Sequence, residues 1–493
     1  MTDHSDILII GSGMGGASLA RAHAPSGLKI TILERGDHMK HGPEARDTAQ
    51  IFGRGLYRMN EEWRDGAGNA FSPGNYYYVG GNTKLYGAAL IRYRAEDFEP
   101  RAHPGGDTPG WPLAYETLEP WYQQAEEMLE VRGGLGEDPT EPPHSGRYPF
   151  PPVPHEPPVA DLAERLRRVG LHPSPIPLGI DIEGWLAGGQ TGWDSFPGTT
   201  PAKKDAESTM LAAALAHDNV RLITNAKVER IAAENGVVTG VTATVEGQPR
   251  SFTATRYALA AGAVNSAALL LSSANEAMPE GLANRSDQVG RNFMNHNCSA
   301  VLALHPFRKN TSVYQKTLMV NDFYSGARPL GNIQMLGKIT GDILASQTKL
   351  PRSLIDWITA RSFDIYAMSE DLPSPDSRVT VKNGVIHLDW QRSNMAAHEE
   401  LVTTLKRLLR KAGFPIVLSR PFDRRTPSHQ CGTARMGDDP AASVVNTDLR
   451  SHDLANLYIT DASVLPTSAA VNPSLTIAAL SLRAGKKIAE EMA

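Results

Sequence analysis

A chain of 493 residues exceeds a single typical core, so two lobes are expected and a peptide or small binding module is excluded. Its 49 basic and 54 acidic side chains leave a formal net charge of -5, so no global field draws it to nucleic acid or to an anionic membrane. A neutral or weakly charged small molecule is the partner easiest to reconcile with that balance.

The chain opens MTDHSDILIIGSG, with acids and no Lys or Arg ahead of the apolar run, and no signal peptide is expected there. Ile7 to Ile10, a glycine-rich turn and the small-residue stretch Ala17 to Ala24 predict strand, tight turn and helix. A second strand, Lys29 to Leu33, ends in Glu34, which completes a βαβ unit of the nucleotide-binding kind. Helices are expected over Tyr115 to Val131 and Val159 to Val169. Between Pro139 and Pro158 nine of twenty residues are proline, which predicts an extended crossing between lobes. From Asn219 alternating segments predict a meander of short strands, ending in a strand that turns into a helix, YALAAGAVNSAALLLSS. The last segment, from Asn456, predicts strand, loop and long helix. Tyr257 to Ala274 and Ala462 to Leu482 lack charge and are long enough to span a membrane, but their Asn, Ser and Pro content predicts buried strand-turn-helix segments instead. Only Cys298 and Cys431 are present, neither in a CxxC nor in a metal-ligand spacing, so no metal is expected, and both are read as reduced thiols of a cytoplasmic protein.

In GSGMGG, Gly11 permits the tight turn, Gly13 removes a side chain where a pyrophosphate must approach, and Gly16 lets helix and strand pack closely. The helix start supplies unpaired amides and partial positive charge to phosphates. Glu34 lies where a carboxylate accepts from both ribose hydroxyls. At this point NAD and FAD remain equally open, and so does a nicotinamide-dependent dehydrogenase.

Three blocks carry a resemblance: VGGNTKLYGAALIRYRAEDF from Val79, VGRNFMNHN from Val289, and the long segment HQCGTARMGDDPAASVVNTDLRSHDLANLYITDASVLPTSAAVNPSLTIAALSLRAG from His429. They follow in the order of the glucose-methanol-choline (GMC) oxidoreductase family, and the chain is identified as a member of it. The resemblance implies FAD, an α/β fold with a Rossmann-like flavin lobe, and an α+β substrate lobe with an antiparallel sheet flanked by helices. Segments 1–98, 205–299 and 436–493 are assigned to the first lobe, 99–204 and 300–435 to the second. It places Gly80, Gly81, Asn82 and Thr83 along the flavin, Val228 where the backbone pairs with adenine, and Asp461 near the ribityl chain. Some members carry a histidine that bonds covalently to the flavin; the matching residue here is Leu85, so FAD is expected to be non-covalent.

The resemblance makes His429 the catalytic base, and imidazole suits removal of a hydroxyl proton near neutral pH. Asn472 matches the second catalytic position, where its amide would hold the substrate oxygen. Asn472-Pro473 also reads as a helix start, asparagine as cap and proline in the first turn. The blocks look most similar to bacterial sugar and glycoside oxidoreductases related to pyranose oxidase, implying oxidation of a ring hydroxyl, with Gln334 as a substrate contact. Other alcohols, such as an amino sugar, a cyclitol or an antibiotic precursor, stay open. So do oxidase and dehydrogenase activity, with oxygen, a quinone or another group as electron acceptor. A flavin-bearing relative without redox chemistry is a third class, disfavoured by the presence of both His429 and Asn472.

Overall fold

The computed structural model describes residues 3–198, 200–426 and 429–492. The apolar run at the start forms the strand Asp3–Ile10, whose last four residues are buried. It pairs in parallel with Ile30–Leu33 on one side and Gln248–Leu259 on the other, as expected for strands covered on both faces. Val220–Ile223 extends the parallel part beyond Ile30–Leu33, and Leu457–Ile459 pairs in parallel with the end of Gln248–Leu259. The predicted meander, Ala226–Glu234 and Val237–Val245, completes the sheet in antiparallel fashion. Helix Met14–His23 packs on the C-terminal helix Ser474–Met492. Their approach depends on small residues, since a Cβ on Gly485 would lie 2.6 Å from that of Ala22.

The two uncharged stretches fold as strand end, turn and helix (Ala263–Ser272) and as a single turn, Ala462–Val464, followed by the C-terminal helix. Among the described residues no helix is long and apolar enough to cross a membrane.

A second sheet is antiparallel throughout, in the order Ile416–Pro421, Asn297–Leu304, Phe363–Ser369, Asn332–Met335, Leu318–Val320, Pro173–Pro175. Leu401, Leu405 and Leu409 of helix Met395–Lys411, with Leu162 and Leu166 of helix Pro157–Arg168, cover one face. Ile333 and Met335 join that core, so strand alternation turns Asn332 and Gln334 to the opposite face.

Two helix boundaries differ from the sequence reading. The helix from Tyr115 ends at Met128, two residues before Glu130 takes a left-handed φ of 49°. The next begins at Pro157, because Pro157 and Pro158 occupy the first turn, where no amide donor is needed. Between them the proline-rich crossing is pinned: the Tyr115 hydroxyl donates to Pro143 O at 2.7 Å, and Arg94 pairs with Asp138. A small sheet that the sequence does not signal joins Trp63–Asp65 and Ala70–Phe71 to Val385–Asp389 and Arg378–Lys382.

Candidate active site

A cavity of about 1030 Å³ runs between the two sheets, lined at one end by Gly11 to Gly15 and Glu34 and at the other by His429 and Asn472. At the first end each glycine has a distinct reason. Gly11 has φ +104°, and a Cβ there would meet Ala260 O at 2.4 Å. A Cβ on Gly13 would meet nothing within 4 Å, so its role is to leave space on the cavity side. Gly16 sits over Gly11 O, 2.0 Å from its would-be Cβ, and Gly15, which the sequence reading did not single out, abuts Thr460 O at 1.6 Å. The signal for Gly15 was its place in the motif, but only the packing of the helix against the end of Leu457–Ile459 makes it necessary.

No side chain caps helix Met14–His23, and the amides of Gly13, Met14 and Gly15 donate to no acceptor among the described residues. Three unpaired donors and the positive end of a helix thus face the cavity, the arrangement that holds a pyrophosphate. Glu34, 5% exposed, accepts from Ser12 N at 3.0 Å, Ser12 Oγ at 2.7 Å and Gly36 N at 2.9 Å. Burial pushes its pKa up against the pull of those donors. Of a carboxylate's roughly four acceptor positions, about one remains, so Glu34 has room for one ribose hydroxyl rather than the two expected. Ser12 Oγ also accepts from Gly80 N at 3.1 Å, tying the two glycine turns together. Gly80 and Gly81 both have positive φ. Gly81, Asn82 and Thr83 line the cavity, while Gly80 stands behind them. Val228 lines it from the edge strand Ala226–Glu234, beside a bulge.

The Asp461 carboxylate accepts from Ser463 N and Oγ with one oxygen and from Gly262 N and Ser266 Oγ with the other. Its side chain is therefore spent on the turn, and what it offers the cavity is its backbone amide, unpaired among the described residues. Leu85 lines the same wall. A cavity of this volume with donors at one end and a polar pair at the other fits FAD.

At the far end His429 has φ +71°, a left-handed conformation that costs a non-glycine residue on the order of 1 kcal/mol or more and is found at functional sites. Asn472 Nδ2 lies 3.1 Å from His429 Nε2. His296, inside a block already quoted but not singled out from sequence, lies 2.7 Å from His429 Nδ1 through its own Nδ1. His296 Nε2 is 2.9 Å from Ser468 O. A carbonyl only accepts, so His296 donates from Nε2, its Nδ1 accepts, and His429 must carry its proton on Nδ1. That leaves the lone pair of His429 Nε2 at the cavity end. Burial, then the charges of His296 and Lys316, push the His429 pKa well below its usual value, and burial brings His296 down to about 4. Both imidazoles are neutral at pH 7.

The helix after Asn472 starts at Ser474, which puts Pro473 at the cap position and Asn472 outside it. Asn472 Oδ1 accepts from Gln334 Nε2 at 3.0 Å and from no helix amide among the described residues, so the side chain is not a cap. Gln334, expected at the substrate, does not line the cavity; it stands behind Asn472, 1% exposed. Only past the end of its strand does Leu336 line the cavity. Lys316 Nζ donates to Met335 O at 3.4 Å and lies 3.1 Å from Asp194 Oδ2, which also accepts from Gly337 N at 2.8 Å. Burial pushes the Asp194 carboxyl up, but the ammonium and the amide outweigh it and hold it below the usual range. Lys316 and Asp194 both line the cavity, and no sequence pattern linked them.

A mixed sheet with a parallel, dinucleotide-binding half facing an antiparallel sheet, with a neutral imidazole and an amide where the cavity ends, defines a two-lobed oxidoreductase. Residues 181–298 and 373–481 match the description GMC oxidoreductase, and 9–47 match an NAD(P)-binding Rossmann-like domain. The chain is 30% identical to 6'''-hydroxyparomomycin C oxidase of Streptomyces lividus over 99% of its own length and 92% of that protein's. It is 29% identical to paromamine 6'-oxidase of Streptomyces fradiae with the same coverage. The crystal structure of pyridoxine 4-oxidase from Mesorbium loti shares the fold, with TM-score 0.70 and 20% identity over 98% of this chain and 99% of that one. The chain belongs to the GMC oxidoreductase family: it is an FAD-dependent enzyme acting on CH-OH groups.

Proposed function

We propose that this enzyme oxidises a ring hydroxyl of a neutral sugar or glycoside to the ketone, with His429 taking the hydroxyl proton and Asn472 holding the substrate oxygen. The proton passes to Nε2 of His429, the carbinol C-H bond breaks with its electron pair, and the C=O bond forms. When bound, FAD supplies the acceptor for that hydride. Asn472 Nδ2 donates to the oxygen as negative charge develops on it, an interaction that strengthens toward the transition state. The amides of Gly13, Met14 and Gly15 would hold the cofactor's pyrophosphate, and Glu34 one ribose hydroxyl.

The observation that carries the substrate reading is the Lys316-Asp194 pair. Lys316 has three N-H donors and uses two; Asp194 Oδ1 accepts from nothing among the described residues. One free donor and one free acceptor thus stand side by side on the cavity wall, a match for two neighbouring hydroxyls. A hydroxyl stripped of water and left unpaired there would cost about 1 to 3 kcal/mol. The names of the two Streptomyces relatives favour a second reading, an amino sugar. Against it, Asp194 is already neutralised, so an ammonium group finds no unpaired carboxylate at this wall.

A panel of glucose, methyl glycosides, fructose and paromamine, added without oxygen while flavin absorbance is followed, separates the two. Neutral sugars are expected to bleach the protein faster than paromamine, and the reverse order removes the reading. In air, peroxide formation against reduction of an added quinone identifies the acceptor. Both cysteines are buried and unpaired, in keeping with a reducing, cytoplasmic compartment.

We also infer that the FAD is dissociable, because Leu85 offers no nucleophile at the position where relatives attach it. Acid precipitation is expected to leave all yellow colour in the supernatant; colour retained in the pellet would contradict this.

A further inference from the structure

Asn472 could in principle turn either end of its amide toward His429. Seen with oxygen facing the imidazole, it would demand a proton on Nε2 and abolish the base. Something must choose between the two.

The choice is traceable to one carboxylate. Asp138, paired with Arg94, can only accept, so Asn321 presents Nδ2 to it, at 2.7 Å. Asn321 Oδ1 must then accept, and does so from Asn332 Nδ2 at 2.6 Å. Asn332 Oδ1 accepts from Gln334 Nε2 at 3.0 Å. The other N-H of Gln334 Nε2 goes to Asn472 Oδ1 at 3.0 Å, which leaves Asn472 Nδ2 to face His429 Nε2 at 3.1 Å. From the opposite direction Ser468 O fixes His296 and then His429. Two independent acceptor-only anchors therefore require the same arrangement at their meeting point, a donor on Asn472 and a lone pair on His429.

Every side chain in the amide run is buried: Asn321 and Gln334 are 1% exposed, Asn332 not at all. Gln334 Oε1 has no partner among the described residues, and a buried orphan of this kind calls for an explanation. Spending both N-H groups of Nε2 on Asn332 and Asn472 supplies one.

We propose that Gln334 is a positioning residue: through the run Asp138-Asn321-Asn332-Gln334 the fold sets which end of the Asn472 amide faces His429, and so keeps His429 Nε2 without a proton, as the acceptor the reaction needs. This rests on the roles given above to His429 and Asn472. It follows that an isosteric loss of donation at 334 is worse than an apolar one, provided the new group is ionised. In Gln334→Glu the carboxylate accepts only, Asn472 turns its N-H toward it, and the oxygen meets His429. In Gln334→Met the amide is merely released.

Flavin bleaching at saturating sugar is expected to slow on the order of a hundredfold in Gln334→Glu, the scale of a misplaced reacting group, and less in Gln334→Met. Lowering the pH protonates the introduced carboxyl, which then donates, so the Gln334→Glu rate is expected to recover relative to wild type as pH falls, whereas the ratio for Gln334→Met stays flat. Lys316 and His296 also face His429, and comparison with wild type at each pH removes their contribution. The second readout needs no turnover: in histidine-15N-labelled holoenzyme, the His429 signals, assigned by their loss in His429→Ala, are expected to report Nδ1-H in wild type and a proton on Nε2 in Gln334→Glu. An unchanged tautomer and rate in Gln334→Glu overturns the proposal while leaving His429 as the base. Unimpaired bleaching in His429→Ala removes the reading beneath it.

Discussion

His429→Ala is expected to remain yellow and to be reduced by substrate about a hundredfold to ten-thousandfold more slowly, the span for loss of a general base. The cofactor should stay because the groups that fit its pyrophosphate and ribose, the amides of Gly13 to Gly15 and the Glu34 carboxylate, lie at the other end of the cavity. The pH profile supplies a sign that a packing defect would not. Burial and nearby charge hold the His429 pKa well below 6.5, so the free enzyme keeps its base deprotonated through neutrality. The wild-type kcat/KM is therefore expected to stay level down past pH 6.5 and to fall only at lower pH, as protons fill Nε2. That acid limb should vanish in His429→Ala. Stopped-flow reduction between pH 5 and 8 checks both, and an alanine variant with normal rates would exclude His429 from proton transfer.

Asn472→Asp is expected to lower flavin reduction by about a hundredfold or more, comparable to losing a donor aimed at developing negative charge. Gln334 Nε2 can still donate to one carboxylate oxygen, so the backbone and fold should hold. The other oxygen replaces Nδ2 beside His429 Nε2, where two acceptors oppose each other. The anion stabilises the imidazolium, which raises the His429 pKa and moves the acid limb of the profile upward. A helix cap would tolerate aspartate without loss. Turnover near the wild-type value, with an unmoved acid limb, would mean that the amide does nothing for the reaction.

The strand-turn-helix around GSGMGG, the meander after Asn219 and the C-terminal helix were legible because local periodicity and glycine placement fix them. His429 and Asn472 were identifiable from the family blocks, and the structure brings their side chains to 3.1 Å across a separation of 43 residues. The sequence could not show that the Glu34 acceptor positions go mostly to Ser12 and Gly36, and it left open a helix cap at Asn472 that the structure does not form. It placed Gln334 at the substrate, whereas Gln334 stands behind Asn472. Each of these differences concerns which partner a polar side chain finds.

The amino-acid sequence alone therefore determined the class of sheet at the N-terminus, the family and the residue types available for chemistry, since these depend on neighbours along the chain and on motif spacing. Only the tertiary structure decided the direction of the hydrogen bonds from Asp138 to His429, the pairing of Lys316 with Asp194, and the support of His429 by His296. Those partners lie up to 183 residues apart. Their roles follow from which group is forced to accept, and that is settled when the sheets pack and water leaves.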